Sequence, residues 1–176
     1  MSRQSSSGLT YSKNSGTMSP GRRQLIRSVS KILYMAQIEK EDLSKIMAGF
    51  TDIIYVAVFG KDAEEMRKEL GISKKTNLRM YLDKEVQEKI DKIESLIARD
   101  LYRAKINKLG DVLYFYIYYT LKHTRNMNYI SDLATDINDP VQFYKVTKEK
   151  AEQKKWKHIE EIYDIFRRNK NIQVLA

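Results

Sequence analysis

Apolar positions recur at three- and four-residue steps over most of the chain, the spacing of helices that each bury one face. Residues 24–48 carry Leu25, Val29, Ile32, Leu33, Ala36, Leu43, Ile46 and Met47 in this register. The charge cluster at 39–42 offers a point of division, and Gly49 reads as the stop. The run 53–59, IIYVAVF, is short and β-branched. It suits a buried strand or a buried helix; helix is favoured because no second strand stands out to pair with it.

Asp62 reads as an N-cap, with Glu64 and Glu65 in the first turn of a helix that runs to Leu70 before Gly71. Residues 72–77 read as a turn. Asp83 caps the clearest helix, whose stripe is Val86, Ile90, Ile93, Ile97, Leu101 and Ala104, ending near Gly110. Asp111 opens an aromatic helix with Tyr114, Phe115, Tyr116, Tyr118 and Tyr119. Charges alternate over 145–168 around Trp156, Ile159, Ile162, Tyr163 and Phe166. The pattern predicts an all-α fold: a helical bundle with a C-terminal helix-turn-helix-like segment and a disordered basic N-terminal tail. The predicted parts are a tail over 1–23, a helical domain over 24–110 and a helical segment over 111–176.

Charge changes this picture in one respect. The 176 residues hold 32 Lys+Arg against 23 Asp+Glu, a net +9. Before Glu39 there are six basic residues and no acid, so two thirds of the excess lies in the first fifth of the chain. Residues 1–20 are rich in Ser, Gly, Thr and Asn, a composition that cannot offset its own ordering entropy. Such a tail reads equally as a nucleic-acid arm, using Arg22 and Arg23, or as a solubilising leader. It lacks the apolar core of a secretory signal, and its sparse Arg argues against a transit peptide.

The chain has no cysteine and two histidines, which excludes a disulfide scaffold, a thiol nucleophile and a thiolate zinc site. No apolar run reaches membrane-spanning length. The composition is that of a basic, soluble, cytoplasmic protein. His123 and His158 stand in basic helical contexts without a nucleophile elbow and read as exposed surface histidines. No phosphate-loop, dinucleotide or zinc-protease motif occurs. The carboxylate pairs Glu64/Glu65 and Glu160/Glu161 read as capping and solvated-face charges. The expectation is a non-enzymatic protein with no cofactor and no metal. The aromatic run 114–119 could stack on unpaired bases, but consecutive aromatics on a helix point all round, and core packing is the better account.

The most informative stretch is 129–157. Ser131 can cap a short helix carrying Leu133, Ala134 and Ile137. Asn138, Asp139 and Pro140 suit a tight turn with Pro at the first position of the next helix. That second helix, 141–150, turns Phe143, Val146 and Tyr144 inward and leaves Gln142, Lys145, Thr147, Lys148 and Lys150 outside. These residue types read base edges or hold phosphates, as a helix-turn-helix requires. The competing reading is an ordinary helix corner. Arg167, Arg168 and Lys170 follow the last apolar step and form a further basic cluster.

Residues 53–100, through VFGKDAEEMRKELG (58–71), NLRMYLDKE (77–85) and IESLIA (93–98), resemble the region after the DNA-binding module in phage antirepressor-like regulators of the KilA/Bro type. Met80 stands where that family often has Asp after the Leu-Arg pair. The resemblance implies a viral or mobile-element protein acting on gene control and carries over no catalytic or base-reading residue. From the residues alone, Arg79 is expected to pair with an acid such as Asp83 or Glu85.

The leading expectation is therefore a DNA-binding regulator or accessory protein, with double-stranded DNA as partner and self-association as a further partner class. Alternatives are a helical protein–protein adaptor, with the 86–104 and aromatic helices as its assembly face, and an RNA-binding protein.

Overall fold

The computed structural model describes residues 18–106, 109–125, 137 and 139–168. The 1–17 stretch of the expected tail, most of the first helix of the helix-turn-helix-like segment and Lys170 lie outside the described residues. Within them the fold is all-helical, with no strand.

Helix α1 spans Pro20–Met35. Ser19 caps it, its hydroxyl accepting the Arg22 N–H, and Pro20 sits where a missing N–H costs nothing. Residues 20–23, assigned to the tail, are therefore helical. Four of the six basic residues that precede Glu39 (Arg22, Arg23, Arg27 and Lys31) belong to a folded helix. α1 stops at Ala36, with Gln37 in the left-handed region at φ 58°.

Helix α2, Lys40–Phe59, begins beside the 39–42 acids, Glu41 and Asp42 lying in its first turn. It runs straight through Gly49, so Gly49 is not a stop, and 53–59 is helical. The stop is Gly60, whose left-handed backbone donates its N–H to Val56 O at 2.8 Å. From Ile53 to Val58 every residue is buried, the signature of a helix enclosed on all sides.

Helix α3, Ala63–Leu70, lies between the Asp62 cap and left-handed Gly71, as the sequence predicts. A 3-10 turn at Leu78–Tyr81 leads to α4, Lys84–Arg103. Asp83 occupies the capping position of α4 without making a side-chain cap bond, a departure from expectation. The stripe from Val86 to Leu101 is buried, whereas Ala104 is exposed beyond the helix end, so α4 closes before Gly110.

Helix α5, Leu109–Thr124, starts two residues before Asp111. Helix α6, Pro140–Lys154, has Asp139 as cap and Pro140 at its first position, the predicted turn chemistry. Lys155 in the left-handed region at φ 57° closes it, and α7, Lys157–Arg168, follows.

α1 lies on α4, α4 on α5, and α2 on α7 and α5, while α6 packs between α5 and α7. One hydrophobic core runs through all of them, from Leu25 and Leu33 to Phe143, Trp156 and Phe166, so the parts on either side of residue 110 share a single interior. Trp156 anchors the α6–α7 corner, its indole N–H donating to Glu65 Oε1 at 2.9 Å.

Gly49 is a point of close approach between α2 and α7. A Cβ there would lie 2.7 Å from Cβ and Cγ2 of Ile162 and 2.9 Å from the His158 carbonyl oxygen. Neither a backbone carbonyl nor a branched Cβ can swing aside. Gly49→Ala is expected to cost about 1–3 kcal/mol by overpacking, despite alanine's better helix propensity. Urea unfolding measures this, and an unchanged midpoint would show that the helices part freely.

Candidate nucleic-acid interface

The inward face of α6 is set by a four-residue step that pattern reading only partly captures. Phe143, Thr147 and Ala151 line one stripe, with Tyr144 beside it, and all four are buried. Val146 is only half-buried. Thr147 is thus a correction: it is fully buried rather than available to DNA. Its hydroxyl donates to Phe143 O at 2.7 Å and pairs with the Tyr163 hydroxyl at 2.7 Å, which satisfies a polar group inside the core.

The outward face carries Gln142, Lys145 and Lys148 at three-residue steps, all exposed. Neither lysine makes an ion pair among the described residues; Lys148 instead lies 6.0 Å from the centroid of the Tyr144 ring. Lys150 is half-buried. Acids crowd the other side of the helix. A cavity of about 350 Å³ between α6 and α7 is lined by Glu152, Glu160, Glu161 and Asp164 against Lys148 and Arg167. On α6 the exposed cations that make no ion pair among the described residues are therefore Lys145 and Lys148, beside Gln142.

The other predicted contacts fare differently. Arg167 and Arg168 are exposed, but both bond to Asp164, Arg168 at 3.0 Å. The Arg167 bond, joined by that of Arg168, holds the Asp164 carboxyl below its usual range. Arg23 is exposed with no ion pair among the described residues, as a phosphate contact requires. Arg22 is a correction. Its guanidinium donates to Thr51 Oγ1 at 2.5 Å and to Glu94 Oε2 at 3.4 Å, across the α1–α4 contact. Glu94 is fully buried and receives a two-pronged bond from Arg79 at 2.7 and 2.5 Å. Arg79 thus pairs with Glu94, not with Asp83 or Glu85.

The remaining titratable groups serve the interior. His123 is not a surface histidine: its ring is nearly enclosed, and Nε2 lies 2.6 Å from Asp100 Oδ2. Burial raises the Asp100 pKa, but the bonds from His123 and Arg99 outweigh it and hold the carboxyl below its usual range. The pair ties α4 to α5. His158 is half-exposed beside Glu161. Asp52 is buried, with Oδ1 accepting the Ala63 N–H at 3.1 Å and Oδ2 without a hydrogen-bond partner. Burial pushes its pKa up to about 7, and nearby Asp62 adds to this, against the Ala63 N–H, His158 and Arg67. Tyr116 is buried in the core, stacked on Phe50 at 3.9 Å with its hydroxyl donating to Phe50 O.

Among the described residues, no group of three or more acidic and histidine side chains is arranged to hold a metal ion. No single helix among them is long and apolar enough to cross a membrane. No protein-family model, curated protein or solved structure matches the chain.

Proposed function

We propose that the protein binds double-stranded DNA without catalysing a reaction, as a regulator or accessory protein of a phage, plasmid or related mobile element. In this reading α6 is the second helix of a helix-turn-helix and enters the major groove. Gln142 addresses base edges while Lys145 and Lys148 hold phosphates.

The observation that carries the reading is the α6 surface itself. Its aromatic stripe is committed to the core, and its opposite edge presents Gln142, Lys145 and Lys148 free of ion pairs among the described residues. The KilA/Bro-type resemblance over 53–100 supports a role in gene control. That stretch folds into the last third of α2, α3, the 3-10 turn and most of α4, so it bears on the scaffold and not on the reading helix.

Lys145→Ala with Lys148→Ala is expected to weaken duplex binding and to reduce the slope of log K against log salt by about 2, since each phosphate contact releases close to one counterion. An electrophoretic titration at several salt concentrations measures it. An unchanged slope removes α6 from the interface.

A further inference from the structure

A second basic surface lies on α1 and the end of α4. A groove of about 540 Å³ runs between them, within the range of binding clefts. Its floor is aliphatic, from Ile32, Leu101 and Ile106. Arg27, Lys31, Arg103 and Lys105 line the same groove, all exposed, and no acid lines it. None of the four makes an ion pair among the described residues, in contrast to Arg22, Arg79 and Arg168. Four like charges around one cleft repel one another and raise its positive potential, so an anionic occupant is favoured twice.

The margins add an apolar component. Tyr34 is 81% exposed, Met35 62% and Tyr102 75%, all at the C-terminal ends of the two packed helices. Tyrosine, methionine and arginine beside an apolar floor is the composition of a protein-binding surface. A duplex backbone is convex and hydrophilic and gains nothing from the floor. Unpaired bases stack on flat rings, and of the residues that line the groove only Tyr102 offers one, at its margin rather than on its floor. Aliphatic side chains flanked by carboxylates satisfy both the floor and its charged walls.

We propose that the α1–α4 groove docks an acidic amphipathic segment of a partner protein, with its apolar side chains on Ile32, Leu101 and Ile106 and its carboxylates on Arg27, Lys31, Arg103 and Lys105. The site is separate from the α6 surface and does not depend on the DNA-binding reading.

The test uses the full chain and a short dye-labelled helical peptide with one leucine face and glutamates elsewhere, read by fluorescence anisotropy. Binding is expected, with a loss of at least about tenfold when glutamine replaces the glutamates, and again when serine replaces the leucines. Arg27→Glu with Arg103→Glu is expected to weaken it at least about tenfold, as is Met35→Ser with Tyr102→Ser; all four positions are exposed, and an unchanged circular dichroism spectrum checks that each variant is folded. Absence of binding, equal binding of the glutamine peptide, or indifference to both variants overturns the proposal. So does displacement of the peptide by unlabelled duplex or single-stranded DNA at equal charge, which would make the groove a nucleic-acid surface. Lys145→Ala with Lys148→Ala is expected to leave peptide binding unchanged.

Discussion

Glu94→Ala is expected to destabilise the protein by about 3–5 kcal/mol, the cost of leaving buried charge without its partner. Glu94 is fully buried and faces two guanidinium groups, with side chains only 17% exposed at Arg79 and 22% at Arg22. Those residues arrive from three separate places: α1, the 3-10 turn and the middle of α4. Loss of the carboxylate strands both cations and loosens all three attachments. The expected fall in melting temperature is about 6–20 °C, for a chain of this size. Glu94→Leu combined with Arg79→Met and Arg22→Met should recover much of the loss, because an apolar triad of similar bulk leaves no buried cation without its partner. Thermal and urea unfolding of the two variants side by side decide it. A loss below about 1 kcal/mol for Glu94→Ala would mean that the triad is hydrated and contributes as weakly as a surface pair.

Asp52→Asn is expected to act in the opposite direction at neutral and higher pH. The folded-state pKa of Asp52 is about 7, against 3.8 for the ordinary side chain. Below about pH 4 the group is neutral in both folded and unfolded chains and costs nothing. As pH rises from about 4 to about 7, the unfolded chain ionises first, so stability declines. Above about 7 both states are ionised and the deficit is constant, on the order of 4 kcal/mol for a shift of this size. Asparagine keeps an oxygen for the Ala63 N–H and removes the titration. Its profile should lose this decline, and the variant should be the more stable protein near pH 8. Urea midpoints across this range measure both chains, and parallel profiles would show that Asp52 is hydrated in the folded state.

The helices were legible because helix signals are local. The buried stripe from Val86 to Leu101, the Asp62 cap, the Gly71 terminator and the Asp139–Pro140 start each lie within a few residues of what they control. What opposes a residue across the interior is not local. Gly49 looks like a terminator in sequence because nothing nearby reveals that α7 needs the space its missing side chain leaves. Arg22 and Glu94 are separated by 72 residues, so a basic residue near a Ser-rich leader looks free when it is held. Shorter separations, 15 residues between Arg79 and Glu94 and 23 between Asp100 and His123, are still beyond the reach of a helix period. On α6, periodicity set Gln142, Lys145 and Lys148 outside correctly. Thr147 was misplaced because its residue type outweighed its register: it stands four residues from both Phe143 and Ala151, and that spacing was the available signal.

The close fit of α7 against Gly49 also has a consequence for biosynthesis. α2 is apolar on every side over 53–58, yet one of the helices that cover it, α7, is the last of those described. Roughly a hundred residues separate the two surfaces, which at about 5–20 residues per second leaves the α7-facing side of α2 uncovered on the ribosome for roughly 5–20 s. During that interval α1, α4 and α5 can close their own contacts, α5 also on α2, but the side of α2 that faces α7 stays open. A nascent chain stalled before α7 is the form of this protein that chaperones would meet and that would aggregate first.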